Sequence, residues 1–124
     1  MRLSPEKAFA EDISIINKTC VDHFGKNINI FLYGSYGHNQ GGWIVSNKEY
    51  YPYNDYDILI VIDDNHQVSK NTLEKVKKEL LDKIKIQFID LSIKRSKGMM
   101  KLKSSVENFD IINGSLQIFG NKDF

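Results

Sequence analysis

The chain has 124 residues, enough for one small domain and too few for two, and its 41% apolar and 27% charged residues form an ordinary globular mixture. A net charge of +1 gives no global bias toward nucleic acid, and a lone cysteine, Cys20, excludes an intrachain disulfide and a structural zinc cluster. No apolar run approaches the roughly 18 residues that cross a bilayer, and residues 1–6 lack the apolar core of a signal peptide, so the expectation is a soluble cytoplasmic protein without a membrane partner.

Ser4-Pro5 opens a helix, with a capping hydroxyl followed by proline at the first helical position. Phe9, Ile13, Ile16, Cys20 and Phe24 recur at helical spacing, and Gly25 supplies the stop. Residues 28–33 read as a strand buried on both faces. Residues 36–53 read as irregular: Gly37, Gly41 and Gly42 weaken a short helical turn after Ser35. The aromatics Tyr36, Trp43, Tyr50, Tyr51 and Tyr53 suit packing under a long loop at least as well as stacking on a base. Residues 56–62 form the second strand, closed by the turn residues Asp63-Asp64-Asn65.

Ser69 caps a second long helix whose stripe is Leu73, Val76, Leu80, Leu81 and Ile84. The next strand is expected over residues 84–93 and contains Asp90. Residues 94–106 are basic and suit a helix with Met99, Leu102 and Val106 inward. A terminal hairpin is expected from residues 109–112, a turn at Asn113-Gly114, and residues 116–119. The alternation predicts an α/β (α+β) fold, a small sheet with helices packed on it, as a single domain over residues 1–124. The interval from Asp57 to Asp90 holds one helix, which suits a crossover to a parallel neighbour.

Asp55 and Asp57 stand one residue apart at the start of a strand, so they share a face. Like charges placed together repel, and a divalent cation is the usual reason for keeping them. If the following strand is a sheet neighbour, Asp90 joins the pair at the strand spacing of about 5 Å. Three carboxylates without histidine or cysteine form a hard oxygen site, which selects Mg²⁺ or Mn²⁺ over zinc. Gly34-Ser35, at the end of a buried strand, lets a phosphate approach the backbone, and amides and a hydroxyl there can donate to its oxygens.

A hydrophobic residue, Gly34-Ser35, a spacer, then Asp55-Tyr56-Asp57 in an apolar frame and a third aspartate, Asp90, on a later strand resembles the DNA polymerase β-like nucleotidyltransferase superfamily. The resemblance runs from Ile28 to at least Leu91, with a spacer longer than is usual in the family. It implies a minimal nucleotidyltransferase domain with a mixed sheet, transferring a nucleoside monophosphate from an NTP, ATP foremost, to an acceptor hydroxyl with release of pyrophosphate. Asp55, Asp57 and Asp90 would be the catalytic and metal-holding residues, and Asp90 would take the acceptor's proton. Gly34, Ser35, Asp55 and Asp57 would bind the nucleotide. Larger members carry a downstream helical domain, so a protein partner or a further C-terminal domain is expected to help build the acceptor site. The acceptor stays open, and the charge balance argues against tight, sequence-independent binding of nucleic acid.

A second class of function is a nucleotidyltransferase-like antitoxin or regulatory module that binds or modifies a partner protein. Several residues have plain structural readings. Asp63 and Asp64 suit a solvated turn, and Lys94, Arg95, Lys97, Lys101 and Lys103 a solvated face that could also attract a triphosphate. His38 suits an exposed loop. Asn54 either orients a ligand aspartate or starts a turn, and Cys20 belongs in the core.

Overall fold

A computed structural model describes residues 1–37, 40–63, 65, 67–84, 86, 88–95 and 115–120. In chain order the elements are α1 (Pro5–Phe24), β1 (Asn29–Tyr33), α2 (Gly34–Gly37), β2 (Trp43–Ser46), β3 (Glu49–Pro52), β4 (Tyr56–Ile62), α3 (Lys70–Ile84), β5 (Ile89–Arg95) and β6 (Leu116–Phe119). Helix α1 starts where local chemistry places it: the Ser4 side chain accepts from the Lys7 N–H, proline occupies the first turn, and the Gly25 N–H closes the far end on the Val21 carbonyl. In α3 the buried residues Val76, Leu80 and Ile84 fall four apart, one helical face against the sheet.

Four strands form a mixed sheet in the order β5-β4-β1-β6. Strand β1 runs antiparallel to β4 and to β6, while β4 and β5 are parallel and joined through α3. Both helices cover one face of this sheet. There Ile30, Leu32, Ile58, Ile60, Ile62, Ile89 and Leu91 join Ile16, Cys20, Phe24, Val76, Leu80 and Ile84 in a single buried cluster. Each such aliphatic side chain contributes roughly 1.5–3 kcal/mol when fully buried. Cys20 lies within that cluster, where burial pushes its thiol up to about 12, so it is a packing residue. Phe31, Leu59 and Val61 alternate onto the other face and are buried too, which explains the unbroken apolar runs of β1 and β4.

Three expectations change. Residues 36–53 are not irregular: α2 is followed by a two-stranded hairpin, with Trp43 opposite Pro52 and Ser46 opposite Glu49. Strand β5 begins at Ile89 instead of residue 84, because Ile84 completes the buried face of α3. Lys94 and Arg95 finish β5 and do not open a helix. Strand β6 exists, and its partner is β1. The remainder of the expected basic helix, residues 109–112 and the Asn113-Gly114 turn lie outside the described residues, as do His38 and Asp64. Among the described residues, no helix is long and apolar enough to cross a membrane.

Candidate functional site

The strand registers align three polar side chains in a row. Tyr33 on β1 is the partner of Asp57 on β4, and Asp57 is the partner of Asp90 on β5. Directly paired residues project from the same side of a sheet, so Tyr33, Asp57 and Asp90 share the face opposite the helices. The row lies where β1 ends and β4 and β5 begin. Asp55 sits one residue before β4 and is exposed, as is Asp90, while Asp57 is half-buried. The Asp57 carboxyl is held above the usual aspartate range, chiefly by burial and then by the negative charges of Asp90 and Asp55.

Gly34 connects this row to the following helical turn, and no other residue suits the position. Its φ is +70°, in the left-handed region, and a Cβ there would collide with the Asp57 carboxylate. The Gly-Ser corner is therefore packed directly over Asp57. Ser35, half-buried, occupies the next position in α2, and its carbonyl accepts from the Gln40 N–H at 2.6 Å.

Tyr33 is the site residue that the sequence reading passed over. Its hydroxyl donates to Asp90 Oδ2 at 3.4 Å, and Ser92 is a second polar partner. Burial, and then the proximity of Asp90 and Asp57, raises the Tyr33 pKa against the lowering bond from Ser92, so the phenol is neutral and able to donate. Among the described residues no three His, Cys, Asp or Glu side chains converge closely enough to hold a metal ion. Asp57 thus feels both neighbouring charges, while the Asp90 carboxylate is engaged by Tyr33.

The long spacer is braced from behind. The Tyr36 hydroxyl donates to the Gly42 carbonyl at 2.6 Å and accepts from the Asn54 N–H at 2.9 Å; Asn54 Oδ1 accepts from the Gly42 N–H at 2.7 Å. Asn54 therefore ties the root of the hairpin beside Asp55 through its bonds to Gly42 and Tyr36. Tyr36 is buried, with ring centroids 5.4 Å from Trp43 and 4.7 Å from Tyr56. A Cβ at Gly41 would enter its ring. These aromatics are packing residues, whereas Tyr53 is 71% exposed.

A buried ion pair sets the start of β4. Arg2 donates through Nη1 to Asp12 Oδ1 at 2.6 Å and through Nη2 to Asp12 Oδ2 at 3.1 Å, and the Tyr56 hydroxyl donates to the same Oδ2 at 2.6 Å. Arg2 Nε reaches the Tyr50 carbonyl at 2.8 Å, so Arg2 joins α1 to β3 while Asp12 carries the connection on to β4 through Tyr56. Tyr56 lies between Asp55 and Asp57 in sequence and alternates to the helix side, anchoring the segment from below. The available signal was Asp12, an acid between Ala8 and Ile16 on the buried face of α1.

Solved structures of similar fold include a tri-AMPylated Shewanella oneidensis HEPN toxin in complex with MNT antitoxin, at 17% identity and a TM-score of 0.59, with 92% of this chain and 74% of that chain covered. A toxin–antitoxin structure with AMP-PNP matches at 18% identity and a TM-score of 0.59, over 90% of this chain and 75% of that chain. At such identities the likeness is one of fold. No protein-family model matches the sequence, and no curated protein does.

Proposed function

We propose that the protein transfers a nucleoside monophosphate from an NTP, with ATP the first candidate, to an acceptor hydroxyl and releases pyrophosphate. The observation that carries this reading is the register that sets Asp57 beside Asp90, with Gly34-Ser35 packed over Asp57. Because the three carboxylates do not converge on one point by themselves, the paired Asp57 and Asp90, with Asp55 beside them, would hold Mg²⁺ or Mn²⁺ only together with waters and substrate phosphates, which such ions commonly take as ligands. When bound, the metal would neutralise triphosphate charge and make the acceptor oxygen a better nucleophile. Gly34 leaves room for the phosphates to approach the backbone, and Ser35 would donate to them. Asp90, the outermost carboxylate of the row, would take the acceptor's proton.

The kind of neighbour supports a second, compatible reading. Both structures of similar fold are toxin–antitoxin assemblies. The protein would then act on or through a partner protein, and the exposed apolar residues Ile44, Val45 and Tyr53 of the hairpin region offer contact surface. Incubation of the full chain with labelled NTPs, Mg²⁺ and cell extract tests both. A labelled macromolecule or small molecule that disappears with Asp57→Asn supports transfer. Absence of label from every fraction, together with capture of a stoichiometric protein partner, would favour binding without chemistry.

A further inference from the structure

We infer that Tyr33 is itself an acceptor, taking a nucleoside monophosphate onto its phenolic oxygen within the same chain. The inference rests on the transfer reading above. In that reading an acceptor hydroxyl must come within hydrogen-bond reach of the carboxylate that receives its proton, a contact commonly looser before substrate binds. The Tyr33 hydroxyl already occupies such a position, 3.4 Å from Asp90 Oδ2. It reaches there from β1 across the strand that carries Asp57, since the registers place Tyr33, Asp57 and Asp90 in one row.

Two further features favour reaction over a purely structural bond. Tyr33 immediately precedes Gly34-Ser35, so the phenol and the phosphate-gripping corner are joined through a single backbone link and share the face of Asp57. A tethered hydroxyl needs no capture from solution, which removes most of the entropic cost that an external acceptor must meet. Tyr33 is also only half-buried, so part of the residue is open to solvent.

The step balances simply. The phenolic oxygen forms a bond to the α-phosphorus of the NTP, the bond from that phosphorus to the bridging oxygen breaks, and pyrophosphate leaves with the electron pair. The phenol proton passes to Asp90. The product is a tyrosyl phosphodiester. It adds a negative group beside Asp57 and Asp90 and uses up the hydroxyl that engaged Asp90, so the phenol itself takes a single nucleotide.

The full chain is incubated with Mg²⁺ and each NTP, then analysed by intact-mass spectrometry and peptide mapping. The expected result is an increment of one nucleoside monophosphate, located on Tyr33 and missing from Tyr33→Phe. A second measurement does not depend on turnover: Mg²⁺ with α,β-methylene-ATP raises the melting temperature of the wild type and of Tyr33→Phe equally, showing that the variant folds and binds nucleotide. An increment on another residue, or pyrophosphate release with Tyr33 unmodified, overturns the inference and leaves the transfer reading standing. No melting shift and no transfer to any molecule removes the transfer reading and the inference with it.

Discussion

Replacing Arg2 by methionine strands a carboxylate in the interior. Arg2 is 6% exposed, and Asp12 and Tyr56 are fully buried at 0%. Methionine keeps the unbranched apolar stem but removes both bonds to Asp12 and the bond to the Tyr50 carbonyl, leaving Asp12 with only the Tyr56 hydroxyl. Breaking a buried ion pair from one side costs roughly 3–5 kcal/mol. At about 4 °C per kcal/mol for a domain of this size, the melting temperature should fall by roughly 10–20 °C. The loss should depend on pH. Burial already raises the Asp12 pKa against the lowering effect of Arg2 and Tyr56, and removing Arg2 raises it further. A carboxyl whose folded pKa is raised takes up its proton in the folded state before the unfolded chain does. The cost is therefore full at neutral pH and is recovered as pH falls through the raised pKa toward the ordinary value of 3.8. Thermal unfolding by circular dichroism at pH 7 and pH 5 measures this, and Arg2→Met combined with Asp12→Asn should recover much of the loss. A pH-independent cost below about 1 kcal/mol would refute the argument that Arg2 neutralises a buried charge.

Asp57→Asn should abolish nucleotidyl transfer while leaving metal-free stability unchanged or higher by up to about 1 kcal/mol, because repulsion from Asp55 and Asp90 is relieved in a partly solvated site. The Asp57 pKa is raised in the fold, so any gain is largest at neutral pH and fades as pH falls toward 3.8; denaturation at pH 7 and pH 4 would reveal the opposite trend if it existed. Gly34→Ala should lose about 1–2 kcal/mol from its left-handed backbone alone, and displacement of Asp57 should reduce NTP-dependent labelling further than the stability loss explains. Tyr36→Phe should cost about 1–3 kcal/mol by leaving the Asn54 N–H without its acceptor, with faster hydrogen exchange at the Asn54 and Gly42 amides as the check.

Local chemistry made much of the architecture readable. The Ser4-Pro5 cap, the Gly25 stop and the i, i+4 stripe of α3 act within a few residues, so their consequences are visible in the chain itself. The Asp57–Asp90 interval, with room for one crossover helix, correctly suggested the parallel pairing that sets those two residues side by side. The hairpin escaped notice because its turn, Asn47-Lys48, takes positive φ at both positions without the glycine that normally signals such a turn. The start of β5 was misplaced because Ile84, Ile86 and Phe88 alternate with the polar Lys85 and Gln87, a strand-like period that begins at the last residue of the helical stripe. Asp12 and Arg2 gave little warning, since their pairing joins α1 to a residue that precedes it and neither shows its burial in composition.

The order of residues along the chain determined which groups were available: a glycine able to turn back over a carboxylate, a serine beside it, and three aspartates at strand starts. Tertiary structure alone decided how they meet. Strand pairing brings Tyr33 to Asp57 and Asp57 to Asp90 because hydrogen-bond register fixes side-chain neighbours across segments far apart in sequence. Propensity and spacing describe only a few residues at a time. The long-range contacts follow from burying one face of the sheet under α1 and α3, and that burial turns a strand-end tyrosine into a partner of Asp90.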